Sequence, residues 1–197
     1  MPQTLEFFFD YGSPYSYLAN TQLPGLAERT GCRIAYRPML LGGVFKATGN
    51  RSPAMEPVEA KRRYGSVELQ RFVAHYGCPF RPNPFFPIDT LPIMRACHAA
   101  MARGDFEPFH AAVYDAFWAK GENLGDAPVF ARVLEAGGLD AAAIVEAARA
   151  PEAKTALRAT TDEAVERGVF GAPSFFVGEE MYFGADRLPF VEKALGA

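Results

Sequence analysis

Ser13 stands directly before a proline in the segment Asp10-Tyr11-Gly12-Ser13-Pro14. Serine followed by proline is typical of a helix start, because the hydroxyl caps a free backbone N–H and proline needs no N–H at the first helical position. A helix N-terminus carries partial positive charge and favours an anion, to which a hydroxyl can donate one more hydrogen bond. The segment therefore predicts that Ser13 stabilises an anion, with a purely structural N-cap as the alternative. A nucleophilic role is disfavoured, since no histidine or carboxylate is spaced to form a triad.

A second proline segment lies near the end of the chain, in Val169-Phe170-Gly171-Ala172-Pro173-Ser174-Phe175. Glycine, a small residue and proline directly before an apolar strand predict a cis Ala172–Pro173 bond that ends a tight turn. A turn proline without any role in ligand binding is the alternative. Each segment is a weak signal alone, but their combination on either side of a long helical region is more specific.

The elements that position the first segment form a βαβ pattern. Residues 4–10 alternate as a buried strand does, with Phe8 facing away from Phe7 and Phe9. A helix then runs from Ser13 until Gly31 ends it, and residues 32–37 form a second strand. This order predicts a right-handed strand–helix–strand unit.

The rest of the chain changes character twice. Residues 57–150 show helical periodicity without a convincing strand, with Asp126 and Asp140 capping two of the helices. A further helix runs to about residue 167. The strand pattern then returns as a hairpin, 174–177 and 181–183, followed by a last helix that begins at Asp186.

This layout predicts an α/β protein with a thioredoxin-like domain and a large all-helical insertion. We expect residues 1–50 to form the first part of the thioredoxin-like domain, 51–159 the insertion, and 160–197 the second part.

Composition limits the classes of function. The 197 residues are 49% hydrophobic with a net charge of −3 and without a long basic run, which argues against a nucleic-acid partner. No segment has the ~20 apolar residues of a membrane helix, and the first ten residues do not resemble a secretory signal. Three cysteines in no paired or metal-binding spacing indicate a reducing compartment, so we expect a cytoplasmic protein. The three histidines lack metal-ligand spacing, and no metal is expected: His75, His98 and His110.

The two proline segments, with several further motifs, resemble those of 2-hydroxychromene-2-carboxylate isomerases, which are related to kappa-class glutathione transferases and to DsbA-like oxidoreductases. The resemblance covers essentially the whole chain. In redox relatives the positions of Ser13 and Ser16 hold the nucleophilic and resolving cysteines, so thiol–disulfide exchange is excluded at this site. The further motifs are Leu40-Leu41-Gly42-Gly43-Val44-Phe45-Lys46, Gly49-Asn50, Phe86-Pro87-Ile88-Asp89-Thr90-Leu91-Pro92 and Phe183-Gly184-Ala185-Asp186-Arg187.

The resemblance implies that glutathione is the cofactor and that Ser13 stabilises its thiolate. It also implies that Ala172 and Pro173 present backbone to the cysteinyl part of glutathione. Asp186 would bind the γ-glutamyl ammonium, and it is also a natural N-cap for the last helix. Asn50 would reach the glutathione backbone, with a plain Gly-Asn turn as the alternative. Lys61 fits the family pattern only with two residues inserted before it, and a solvated lysine is an equal alternative.

The activity that the resemblance implies is the conversion of 2-hydroxychromene-2-carboxylate, a small aromatic intermediate of naphthalene breakdown, to trans-o-hydroxybenzylidenepyruvate. The relatives also imply a homodimer. Two alternatives stay open: a kappa-like transferase that consumes glutathione by conjugation, and a non-catalytic module that binds thiol peptides.

Overall fold

A four-stranded sheet forms the centre of the molecule, which a computed structural model describes over residues 2–196. The strands are β1 (Thr4–Phe9), β2 (Arg33–Pro38), β3 (Ser174–Val177) and β4 (Glu180–Phe183), in the spatial order β2-β1-β3-β4. β1 pairs parallel with β2 and antiparallel with β3, and β3 and β4 form the hairpin predicted near the C-terminus.

Helices surround this sheet and form all of the regular structure between β2 and β3. α1 (Pro14–Thr30) connects β1 to β2 as the βαβ prediction required. The predicted fold class, a thioredoxin-like sheet with a helical insertion, is confirmed. The proposed boundary after residue 159 falls inside a continuous helix, α8. The remaining helices are α2 (Leu41–Thr48), α3 (Glu59–Tyr76), α4 (Leu91–Arg103), α5 (Phe106–Tyr114), α6 (Ala127–Ala136), α7 (Ala141–Arg149), α8 (Pro151–Glu166) and α9 (Leu188–Ala194).

Both faces of β1 are buried. Phe7 and Phe9 face the main core, where Phe7 stacks on Phe175 of β3 at 5.3 Å between ring centroids. Phe8 faces the opposite side and packs in a second cluster with Phe176, as the alternation predicted. Burial on both faces fixes the register of the central strand, because a slip of one residue would exchange the two sets of side chains.

Two of the helix caps predicted after the first strand–helix–strand unit, Asp126 and Asp140, are present, and a third, Asp186, is wrong. The Asp126 carboxylate accepts from the Val129 N–H at 3.3 Å, and Asp140 accepts from the Ala143 N–H at 2.9 Å. Asp186 does not cap the last helix. It lies in a short 3-10 turn, Ala185–Arg187, so α9 begins only at Leu188 and Arg187 takes the N-cap position.

Candidate active site

The two proline segments meet at one edge of the sheet. Because β1 and β3 run antiparallel, with Phe8 opposite Ser174, the end of β1 lies beside the start of β3. Ser13 occupies the N-cap of α1 with φ −96° and ψ 114°, and Pro14 follows in the first turn. The Ser13 hydroxyl oxygen accepts a hydrogen bond from the Ser16 N–H at 3.1 Å and donates one to the Ala172 carbonyl at 3.0 Å.

The turn before β3 presents its backbone next to Ser13. The Ala172–Pro173 peptide bond is cis, and the Pro173 carbonyl accepts from the Gly184 N–H at 3.0 Å. The Ala172 carbonyl has two lone pairs, of which the Ser13 hydroxyl needs one. The serine is therefore both a helix cap and a bridge to the residue before the proline.

A cavity of about 360 Å³ opens beside this bridge. Ser13 is only 5% exposed, yet it forms part of the cavity wall. The apolar part of the wall consists mainly of Tyr15, Leu41, Phe45, Leu69, Phe86 and Phe183. The polar part includes Asn50, Ser52, Glu56, Lys61, Arg62 and Ser66.

The structure brings four of the predicted site residues to this cavity: Ser13, Asn50, Lys61 and Ala172. The Asn50 side-chain amide donates to the Phe170 carbonyl at 2.8 Å. This hydrogen bond links the segment after α2 to the turn before β3. Lys61 lies in the first turn of α3, next to Arg62, which the sequence reasoning missed. The run of three basic residues from 61 to 63 could have indicated that Arg62 adds positive charge beside Lys61.

Asp186 lies outside this cavity, in a neighbouring hollow of about 210 Å³ that Phe72, His75 and Tyr76 also line. It forms an ion pair with Arg187. Burial raises the pKa of Tyr15, a residue of the main cavity, and the negative charges of Glu68 and Asp186 raise it further. Asp186 is therefore near the main cavity but does not form its wall.

Asp10 is a buried carboxylate beneath the site, and the sequence reasoning gave it no role. It is 1% exposed and accepts hydrogen bonds from the Gly12 N–H at 2.8 Å, the Leu41 N–H at 2.8 Å and the Thr90 hydroxyl at 3.1 Å. Burial raises the pKa of Asp10, although these three donors act in the opposite direction. The carboxylate joins the loop that carries Ser13 to the starts of α2 and α4.

Three further features of residues 2–196 concern metal binding, membrane insertion and disulfide formation. No three His, Cys, Asp or Glu side chains of this range gather in an arrangement for a metal ion. No helix of the described chain is long and apolar enough to cross a membrane. The three cysteines are free; Cys32 and Cys97 are buried, whereas Cys78 is only half-buried.

The class of the protein follows from its match to a protein-family model. The model of the DSBA-like thioredoxin domain matches residues 4–196, almost the whole chain. The chain therefore belongs to the DSBA-like thioredoxin family, in agreement with its fold.

Individual relatives identify a narrower family within this class of protein. The chain is 38% identical over 197 residues to the 2-hydroxychromene-2-carboxylate isomerase of Sphingobium xenophagum, with 99% of each chain covered. A solved structure of a 2-hydroxychromene-2-carboxylate isomerase superposes with a TM-score of 0.86 at 32% identity, covering 98% of this chain and 94% of the other. Glutathione S-transferase kappa 1 of Caenorhabditis elegans is 29% identical, with 97% and 90% covered. The chain belongs to the family of these isomerases and is an enzyme.

Proposed function

We propose that the protein is a glutathione-dependent isomerase that converts 2-hydroxychromene-2-carboxylate to trans-o-hydroxybenzylidenepyruvate. The observation that carries the proposal is the position of the Ser13 hydroxyl. It lies at the N-terminus of α1, 3.0 Å from the Ala172 carbonyl, in the wall of a cavity large enough for a small ligand. The named substrate rests on the isomerase relatives.

The residues of the cavity fit glutathione. Its thiolate suits the helix N-terminus, where the partial positive charge of α1 and the Ser13 hydroxyl favour negative charge. Its carboxylates suit the cationic side of the cavity, formed by Lys61 and Arg62. Its extended peptide suits the exposed backbone at Ala172, as an added strand. The kappa-class transferase relatives support the same cofactor.

Glutathione, when bound, would supply a thiolate that adds reversibly to the conjugated double bond of the substrate, so that this bond can rotate after the ring opens. Ser13 would lower the pKa of that thiol by donating its hydroxyl proton in a hydrogen bond. To do so the hydroxyl turns from the Ala172 carbonyl towards the charged acceptor. The exchange is favourable because hydrogen bonds to charged acceptors are about twice as strong as neutral ones. The proton stays on the serine oxygen throughout.

The apolar side of the cavity fits the aromatic part of the substrate. Phe45, Phe86 and Phe183 supply ring surfaces, and aromatic pairs add favourable contact energy beyond the area that they bury. The protein would orient cofactor and substrate against each other and stabilise the developing charge, two effects that lower reaction barriers strongly.

We further propose a homodimer that acts in the cytoplasm. Four exposed apolar side chains on α3 and the segment before it support an interface between subunits: Met55, Val58, Tyr64 and Val67. The free thiols of the three cysteines support a reducing compartment.

A transferase that consumes glutathione is the second candidate, which the kappa-class relatives favour. One assay separates the two activities. The purified protein is mixed with 2-hydroxychromene-2-carboxylate and glutathione, and substrate, product and free thiol are followed together. Isomerisation requires glutathione and leaves the thiol concentration constant, whereas conjugation depletes it. Turnover that is unaffected by omitting glutathione would overturn the proposal, and a non-catalytic module would give no turnover.

A further inference from the structure

A second cavity, of about 450 Å³, lies between α2, α4 and α8. Helix α2 separates it from the Ser13 cavity: Leu41 and Phe45 line the Ser13 side, whereas Gly43 and Ala47 line the other. At 100° of rotation per residue these pairs lie on opposite faces of the helix. The second cavity is therefore distinct from the proposed active site.

Arg95 of α4 borders this cavity with a guanidinium that lacks a partner. Its Nε atom is buried and forms no hydrogen bond within the described part of the chain. No carboxylate of residues 2–196 lies within ion-pair distance of it. A buried donor without an acceptor is costly, and the described chain supplies no acceptor for this guanidinium.

The charges around the second cavity favour an anion at one end. Lys154 and Arg158 line the N-terminal half of α8, and Asp162 and Glu166 line the C-terminal half. Asp162 is paired with Arg158 at 3.4 Å, and Glu166 is twelve residues, about 18 Å along the helix, from Lys154. With Arg95 the lining carries three cations and two carboxylates, so the lining as a whole has one positive charge in excess.

Arg95 also borders a larger hollow between α4, α6 and α7, where the charge balance is different. That hollow has Arg149 as its other cation, but Asp89 and Glu135 offset the two positive charges. An anion is therefore better accommodated on the α8 side of Arg95.

The remaining wall of the second cavity is apolar. Its apolar lining includes Leu40, Leu91, Leu157 and Val165. We propose that the cavity binds a small carboxylate with an apolar body, whose carboxylate pairs with Arg95 while its body contacts these leucine and valine side chains. The planar guanidinium can hold a carboxylate through two parallel hydrogen bonds. This site is independent of the function proposed for the Ser13 cavity.

Benzoate is a suitable probe, with benzamide as its neutral counterpart, and binding is measured by titration calorimetry on the full chain. Wild-type protein is expected to bind benzoate at least tenfold more tightly than benzamide. Arg95→Met is expected to weaken benzoate binding by about ten- to a hundredfold, the value of a hydrogen-bonded charge pair. Arg149→Met, in the wall of the larger hollow, is expected to leave this binding unchanged. Lys61→Met is expected to weaken only a separate binding event at the Ser13 cavity, whose lining also fits an aromatic carboxylate.

Equal benzoate binding by wild type and Arg95→Met would overturn the proposal, as would a loss caused by Arg149→Met or a loss of all benzoate binding in Lys61→Met. Absence of benzoate binding to the wild type would also overturn it. Should Arg95→Met fail to fold, Ala47→Trp takes its place, since this position is exposed and a large side chain there fills the cavity from α2. Benzoate binding that is unchanged from wild type in Ala47→Trp would refute the assignment.

Discussion

The Ser13 hydroxyl donates a hydrogen bond to the carbonyl oxygen of Ala172, a residue 159 positions later in the chain. This contact joins the start of α1 to the turn before β3. The bond fixes the hydroxyl at the N-terminus of α1, where it donates to a neutral carbonyl oxygen. One serine therefore caps the helix and links it to the turn. The proposed stabilisation of an anion uses the same hydroxyl.

A thiol introduced by Ser13→Cys is expected to form a mixed disulfide with oxidised glutathione, releasing one equivalent of glutathione thiolate. The helix N-terminus lowers the pKa of a thiol there and raises its thiolate fraction. Mass spectrometry of the intact protein before and after reduction measures the adduct. Ser16→Cys is the matched control, because Ser16 is one turn further along and fully buried, so it should stay unmodified. Equal modification of both variants would contradict this geometry.

Insulin reduction by glutathione should not be accelerated by the wild-type protein, since neither Ser13 nor Ser16 can form a mixed disulfide. A turbidity assay of insulin reduction measures this. Strong acceleration that disappears in Ser13→Ala would show that the site performs redox chemistry after all.

Lys61→Met is expected to raise KM for glutathione several-fold with little change in kcat, because the lysine would contribute charge to binding and not to the reacting atoms. Lys46→Met is the control, since Lys46 is on α2 but outside the wall of the Ser13 cavity. Steady-state kinetics at varied glutathione measure both variants. An unchanged KM in Lys61→Met would return this residue to the solvated-lysine interpretation.

Asp10→Ala is expected to destabilise the fold by about 3 kcal/mol or more, because three buried donors would lose their acceptor at roughly 1–3 kcal/mol each. Asp105→Ala is the comparison, since Asp105 is only half-buried and makes an ion pair with Arg103 that is worth at most about 1 kcal/mol. Urea denaturation gives both free energies of unfolding. Similar losses for the two variants would remove the structural role assigned to Asp10.

Acid should destabilise the protein through His110. Its ring hydrogen-bonds the Tyr11 hydroxyl and the Asn20 side-chain oxygen, each at 2.8 Å, and burial lowers its pKa from 6.5 to about 3. Below pH 6.5 the unfolded chain therefore binds a proton that the folded chain rejects. The free energy of unfolding is expected to decrease as the pH is lowered from 6.5 to 3, by up to about 1.4 kcal/mol for each pH unit.

The comparison with His110→Gln isolates this effect. Asp10 acts with the opposite sign, since its raised pKa gives stability that is lost as pH rises, but it does so equally in both proteins. Denaturation at a series of pH values measures the difference in slope. Identical slopes in wild type and His110→Gln would exclude His110 as the source of acid sensitivity.

The sequence predicted those parts of the fold that depend on local patterns. Alternation identified β1, and short polar side chains identified the caps at Ser13, Asp126 and Asp140. The cap assigned to Asp186 was wrong because Gly184, at φ 106°, starts a 3-10 turn and Pro189 fits the first turn of a helix that begins later.

The parts that escaped prediction depend on contacts between distant segments. Two of the three partners of Asp10 are Leu41 and Thr90, and nothing near Asp10 in the sequence indicates either of them. The unpartnered guanidinium of Arg95 is likewise visible only once α2, α4 and α8 are packed together.

The central claim, that Ser13 stabilises the thiolate of bound glutathione, is tested most directly by the pKa of that thiol. Thiolate absorbance of the glutathione complex, followed as a function of pH, gives this pKa for wild type and Ser13→Ala. The wild-type complex is expected to titrate well below the ordinary thiol value of about 8.5, and Ser13→Ala to titrate roughly one to two units higher than wild type, since a hydrogen bond to a charged group contributes about 1.5–3 kcal/mol. Titration at the same pKa in both complexes would contradict the account and leave Ser13 as a helix cap alone.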